Sequence, residues 1–178
     1  VELDPTLVVS LELTNGETVV HRDESFIDES NYGVLPLEFK TYFSEIELQN
    51  TSGEWVNVSE ALFFDFKPID TTLNNPQWGH AAVNYIPAGD YQKIRFGLGL
   101  PSYLNAIDPS TYENQDPLSV YTNMYWTWAT KYRFVILEAK VDTTGGSDFS
   151  WPIIVHTGLD SLYRPGLEFP IDLSLNDF

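Results

Sequence analysis

The sequence contains no cysteine and few basic residues, and each shortage excludes a class of function. Without cysteine the chain has no disulfide, no thiolate zinc site, no iron–sulfur cluster and no cysteine nucleophile. It has 9 Lys and Arg against 26 Asp and Glu, which gives a formal net charge of −17. A surface this acidic repels phosphate backbones and anionic membranes, so we expect no nucleic-acid partner.

Long apolar runs and recognisable catalytic motifs are also missing. No stretch of the sequence approaches the length of a membrane-spanning helix, so no transmembrane segment is predicted. No nucleophile elbow marks a Ser-His-Asp triad, and no glycine-rich loop is present to cradle a phosphate. Paired carboxylates are not diagnostic in a chain with 26 acidic residues. We therefore predict that the protein is not an enzyme, and we rank a hydrolase last.

What the sequence has in abundance is strand-like patterning and aromatic residues, which make up 15% of the chain. Apolar and polar residues alternate over residues 7–13, 94–100 and 167–175, and Asn15-Gly16 is a typical hairpin turn. Seven to nine short strands separated by turns predict an all-β fold. We expect one domain over residues 1–178, a single antiparallel β-sandwich with long loops, the alternative being a barrel.

More specific predictions can be made for several segments. Residues 35–48 form a long strand whose parity changes, which predicts a bulge near Phe43. Residues 132–141 are apolar in both phases and predict a central strand. Residues 22–31 predict a loop, residues 101–121 predict a long loop of functional character, and the apolar residues 55–66 are ambiguous between a strand and a short helix.

The three histidines are the candidate metal ligands, because imidazole is a common ligand of copper and zinc. No two of them are spaced two or four residues apart, so the sequence does not force them to converge. His80 follows Trp78 closely enough for the two side chains to share one loop surface. His156 is the best candidate, and the alternative is a buried histidine that hydrogen-bonds a neighbouring strand. The full candidate set is His156, His80 and His21.

Residues 122–138 combine a dense aromatic cluster with a strand pattern. If the segment is extended, Met124, Trp126 and Trp128 share one face. The commonest fate of such residues is a core ladder. The functional alternatives are a stacking platform for a sugar and a tryptophan placed for oxidation beside a metal.

One acidic loop is a weaker candidate, for calcium. It supplies oxygen ligands of the type that calcium prefers but lacks the mid-loop glycine and terminal glutamate of an EF-hand. A solvated acidic loop is the default interpretation. The residues concerned are Asp108, Ser110, Glu113, Asn114 and Asp116.

Four patches of the sequence resemble, in order, the motifs of the MbnP family. The most specific is the Asn105 to Pro109 patch with M-Y-W-T-W at residues 124–128, which is similar to the family's N…D-P…M-Y-W-T-W core. The chain departs from the family pattern at Asn123 and Lys131, where glycine is usual, and it lacks the cysteines of some members. The other patches are residues 39–48, 86–99 and 154–158.

The resemblance implies a periplasmic or cell-surface protein linked to copper handling. In the copper-binding relatives, histidine acts together with a tryptophan that a di-haem partner protein oxidises, so copper and such a partner are the implied associates. The chain begins at Val1, and we expect an upstream segment, removed by processing or by design, that could carry a lipid anchor.

Two functional hypotheses follow from these observations. The first is a non-enzymatic secreted or periplasmic MbnP-like protein that binds or handles copper. The second is a carbohydrate- or ligand-binding β-sandwich of a surface lipoprotein, which would use exposed Trp and Tyr. We predict that His156 lines a pocket with a tryptophan of the 124–128 segment. The observation that discriminates the two hypotheses is whether His156 lies within ligand distance of another histidine or of a tryptophan edge. If it does not, and Trp55, Trp78 or Trp151 forms a flat exposed platform, the second hypothesis gains.

Overall fold

The computed structural model describes residues 6–21, 23–66, 79–83, 86–126, 131–145 and 147–175. The regular structure of the described chain is mostly β-strand, with one short α-helix, α1 (Ser102–Asn105), and a few 3-10 turns. The strands are β1 (Leu7–Leu11), β2 (Thr14–Asn15), β3 (Thr18–Val19), β4 (Phe26–Ile27), β5 (Gly33–Asn50), β6 (Trp55–Asp65), β7 (Gly79–Val83), β8 (Gly89–Leu98), β9 (Tyr125–Trp126), β10 (Lys131–Tyr132), β11 (Val135–Asp142), β12 (Trp151–Thr157) and β13 (Arg164–Leu175).

The long strand β5 organises the main sheet, whose order is β12-β11-β5-β8-β13 with β4 and β6 also paired to β5. All of these pairings are antiparallel. Because β6 occupies one edge of β5, strands β8 and β11 follow one another along the opposite edge. They meet at Tyr42, whose N–H donates to the carbonyl of Phe134 and whose carbonyl accepts from Gly99.

Strand β5 contains a bulge in the part of the strand that pairs with β6 and β8. Glu45 has a left-handed backbone with φ of 51°, and the register to β6 and β8 shifts between Ser44 and Glu47. The extra residue changes which side of the strand faces the core, as a bulge does. The parity change predicted this feature, and the structure places it two residues beyond Phe43.

The smaller layer of the sandwich is the antiparallel pair of β1 and β7. Leu7 of β1 and Val83 of β7 belong to the same buried cluster as Leu48, Leu62 and Phe64 of the main sheet. This burial holds the two layers together. The structure therefore confirms the predicted all-β, sandwich-like fold.

The long loop between β8 and β9 is ordered and closes a second core. It contains α1 and two 3-10 turns, at Pro109–Thr111 and Val120–Thr122. The Tyr132 hydroxyl donates to the carbonyl of Leu118 at 2.6 Å, and the Tyr42 hydroxyl donates to the carbonyl of Pro117 at 2.9 Å. The buried members of this core are Tyr42, Ala61, Leu100, Leu104, Leu118, Met124, Tyr132, Phe134 and Ile136.

The predicted strands are present, but their bounds differ from those predicted. Residues 55–66, ambiguous in the sequence, contain β6, and residues 132–141 contain most of the internal strand β11. The predicted loop at 22–31 was partly wrong, because Phe26–Ile27 pairs with β5. The Asn15-Gly16 turn is confirmed as the connection of the β2–β3 hairpin.

The ends of the main sheet are β12 and β13. Pro170 lies in β13, as expected for a residue that cannot donate to a ladder from the middle of a sheet. Within the described residues, no helix is long and apolar enough to cross a membrane.

Candidate functional site

His156 lies on β12 and forms a close pair with a carboxylate of the neighbouring strand. In the β11–β12 ladder His156 is opposite Ile136, and Glu138 is opposite Ile154, so His156 and Glu138 are diagonal neighbours on one face. The imidazole Nε2 lies 2.9 Å from Glu138 Oε1. The side chains are 19% and 34% exposed, so the pair sits at the margin of the core and remains reachable from solvent.

A second pair of charged residues extends this face onto β5. Glu38 is directly opposite Glu138 in the β5–β11 register, and Glu38 forms a salt bridge with the buried Lys40. Two carboxylates placed opposite each other repel. The ammonium group of Lys40, paired with Glu38, compensates part of this repulsion.

Trp126 stands beside the imidazole. Its ring centroid lies 6.4 Å from that of His156, and the two ring planes are inclined at 78°, which is an edge-to-face arrangement. Trp126 is 37% exposed, so part of the indole is open to solvent. The ring is carried by the two-residue ladder of β9 and β10, in which Trp126 is opposite Lys131.

Arg133 fixes the segment that carries Trp126. Its backbone N–H donates to the carbonyl of Met124 at 2.7 Å, and its guanidinium donates to the carbonyls of Asn123 and Met124. The same guanidinium lies 5.8 Å from the centre of the Trp126 ring, within the range of a cation–π contact. Asn123 itself adopts a left-handed backbone with φ of 58°, the conformation for which glycine is usual at this position of the family motif.

The other predicted site residues do not join this group. Met124 has 0% exposure and is a core residue, so it does not share the environment of Trp126. The prediction that His80 sits in a loop was wrong, because it lies in β7, opposite Ser10. His21 lies in the connection after β3, which is part of a different sheet from β12. Trp128 and Trp78 lie outside the described residues.

Two carboxylates of the acidic loop accept hydrogen bonds from backbone N–H groups of the same loop. Asp108 accepts from the backbone N–H of Ser110 at 2.9 Å, and these hydrogen bonds hold the pKa of Asp108 below its usual value. Asp116 accepts from the N–H of Leu118 at 2.7 Å. In both places the carboxylate caps a short turn of the loop.

The donor set of the site fits part of a copper coordination shell. An imidazole nitrogen and a carboxylate oxygen are the N and O donors that divalent copper accepts. Within the described ranges, no group of three or more His, Asp or Glu side chains is placed to hold a metal ion. The pair of His156 and Glu138 therefore offers two of the donors that a copper site needs.

Of the residues in this group, His156 and Trp126 were predicted from the sequence, whereas Glu138 and Arg133 were not. One feature of the sequence could have singled out Glu138, because it is an acidic residue inside an apolar strand pattern. Its role depends on the β11–β12 register, which the sequence does not specify. Arg133 holds the aromatic segment through two carbonyls, a role that depends on contacts made only in the folded chain.

The chain is an all-β, sandwich-like protein in which an imidazole, a carboxylate and an indole lie close together beside the outer strand β12. The chain belongs to the MbnP family, whose model matches residues 5–176. Its structure is similar to that of MbnP from Methylosinus trichosporium, with a TM-score of 0.54 and 17% identity, over 97% of this chain and 73% of that chain. At this identity the likeness shows a shared fold. No curated protein matches the chain.

Proposed function

We propose that this chain is a non-enzymatic, copper-associated protein of the secreted or periplasmic compartment, and that His156 and Glu138 bind its copper. Membership in the MbnP family associates the chain with copper and with methanobactin systems. The observation that carries the proposal is the grouping of His156, Glu138 and Trp126, with a 2.9 Å contact and a 6.4 Å ring separation.

Each side chain has a distinct role in this proposal. The imidazole of His156 is the principal donor, and the carboxylate of Glu138 is the second donor and lowers the net charge of a bound cation. The indole of Trp126 covers one side of the ion and limits its access to water. The acidic chain as a whole, with a formal net charge of −17, attracts cations toward the protein and raises their local concentration.

Copper titration followed by tryptophan fluorescence tests the proposal. We expect bound copper to quench the emission of Trp126, and we expect His156→Ala to weaken binding by about tenfold or more, which corresponds to about 1.4 kcal/mol. Glu138→Gln should weaken binding less, since the amide keeps one oxygen donor. Binding should also decrease as the pH falls, because protons and copper compete for the imidazole.

A matched histidine variant separates the site from general surface binding. His21→Ala removes an imidazole from the connection after β3, outside the sheet that contains β12, and should leave the affinity unchanged. Equal affinities of the wild type and His156→Ala would refute the assignment of the site while leaving the family membership intact. Circular dichroism of each variant confirms that the sandwich is retained.

The carbohydrate-binding alternative has less support among the described tryptophans. The ring of Trp55 is covered by the guanidinium of Arg95, which lies 4.1 Å from the ring centre, so that face is not free for a sugar. Trp151 is 65% exposed and remains the candidate platform. Titration with simple sugars, followed by the fluorescence of wild type and Trp151→Ala, would show whether this ring binds them.

A further inference from the structure

Strand β12 has the apolar sequence of a strand that is buried on both faces, but it lies at the edge of the sheet with most of its side chains exposed. Its run of Ile153, Ile154 and Val155 is apolar in both phases, which is typical of a strand buried on both faces. In the structure these three side chains are 40%, 63% and 42% exposed, and Trp151 is 65% exposed. Among the described residues, β11 is the partner strand of β12, and no second strand covers its outer backbone edge.

The charge distribution indicates what covers this edge. Natural edge strands are commonly protected by charged side chains, lysine above all. No Asp, Glu, Lys or Arg occurs from Ser150 to Leu159, although the whole chain carries a net charge of −17. Two copies of such an acidic protein repel each other over carboxylate-bearing surfaces. The uncharged strand is a surface over which they can approach without opposing carboxylates.

The strand is also complementary to itself. An antiparallel pairing about a two-fold axis at Ile154 places Ile153 opposite the partner's Val155, and Trp151 opposite the partner's Thr157. Residues that face each other in such a pair lie on the same side of the sheet. Apolar side chains of one copy therefore meet apolar side chains of the other on both faces, which is the self-complementarity that a two-fold interface requires.

We propose that β12 is a self-association surface, through which two copies of this chain join their main sheets antiparallel across Ile154. The pairing hydrogen-bonds the outer edges of both strands and covers the exposed apolar side chains. Pro152 has no N–H to donate, and in this register it lies opposite the partner's His156. The proposal is independent of copper, because it rests on the edge and the side chains of β12.

The absence of cysteine allows a disulfide test of this register. Across the two-fold axis the Cα atoms of residue 154 would be about 4.5–5.5 Å apart, within the range that a disulfide spans. Ile154→Cys should therefore give a disulfide-linked dimer in good yield under mild oxidation. In Ile153→Cys the two introduced residues would be roughly 8 Å apart, and we expect at least severalfold less cross-linking. Ile27→Cys, which is equally exposed on β4, is the control for random collision.

Sedimentation measurements test the association without a cross-link. The wild type should be dimeric at high protein concentration, and more strongly so as added salt screens the repulsion between acidic copies. Ile154→Lys should be monomeric with an unchanged circular-dichroism spectrum, whereas Ile27→Lys should remain dimeric.

Three results would overturn the proposal. One is a wild-type protein that stays monomeric at high concentration in high salt. The second is a dimer that persists in Ile154→Lys, since it would use another surface. The third is equal cross-linking of the cysteine variants at positions 154, 153 and 27, since this would contradict the register.

Discussion

At the scale of single residues, Gly97 makes room for the ring of Tyr163. A Cβ atom built at Gly97 would lie 2.2 Å from the Tyr163 hydroxyl oxygen and 2.4 Å from a ring carbon. That hydroxyl donates to the carboxylate of Glu45, so the ring has no freedom to move without losing the bond. We predict that Gly97→Ala lowers the free energy of unfolding by about 1–3 kcal/mol, measured by urea denaturation.

A double variant provides the control for this prediction. In a Tyr163→Ala background the ring is gone, so the added methyl group at Gly97 meets free space. Gly97→Ala should then cost much less than it does in the wild type, and the two substitutions should not be additive. Additive effects would mean that the cost arises from the strand backbone and not from Tyr163.

At the scale of elements, the bulge of β5 depends on an unusual backbone at Glu45. A residue other than glycine pays roughly 1–2 kcal/mol for the left-handed conformation. Glu45→Gly and Glu45→Ala both remove the carboxylate that accepts from Tyr163 and Tyr103. We predict that Glu45→Gly unfolds at higher urea concentration than Glu45→Ala, with a difference of about 1 kcal/mol in unfolding free energy. Equal stabilities would indicate that the bulge relaxes when its side chain is removed.

The same element shows how far the sequence predicts local structure. The phase change between Phe39 and Ile46 requires an extra residue, because side chains alternate strictly along a regular strand. The sequence does not say where the residue is inserted. Its place at Glu45 depends on β6 and β8, which pair on both sides of β5, and on the hydroxyl of Tyr163, which lies 118 positions away in the chain.

At the scale of the whole molecule, two buried tyrosines and one half-buried tyrosine make the fold sensitive to alkali. Burial raises the pKa of Tyr42 and Tyr132 far above the usual value of 10.0, and it raises the pKa of Tyr163 to about 12. The unfolded chain releases these protons near pH 10, while the folded chain retains them. The stability that they contribute is therefore complete below about pH 10 and is lost as the pH rises through the folded-state values.

We predict that the free energy of unfolding falls steadily from pH 10 to pH 12. Phenolate absorbance and circular dichroism, recorded on the same samples, provide the measurement: part of the tyrosine absorbance should appear only as the sheet signal disappears. Tyr163→Phe should reduce the pH dependence, because one of the protons is removed. Complete ionisation of all ten tyrosines in a protein with an intact sheet would contradict the prediction.

The candidate site was predictable in part. Two motifs, one ending in the histidine strand and one rich in tryptophan, indicated that His156 and a tryptophan of the 124–128 segment belong together, and the structure places Trp126 beside His156. Met124 was grouped with Trp126 by strand parity, but the alternation holds only while the strand is regular. β9 begins at Tyr125, one residue after Met124, so the two side chains enter different environments.

The amino-acid sequence is sufficient to predict the all-β class, the acidic character, the exclusion of cysteine chemistry and the family. These properties depend on composition, on the alternation of side chains along each strand and on short motifs. None of them requires a contact between distant segments of the chain. The strand order, the partner of His156 and the exposure of β12 are known only from the folded chain. These depend on contacts between distant segments, whose register is set by packing on both faces of a sheet, and no local pattern specifies such a register.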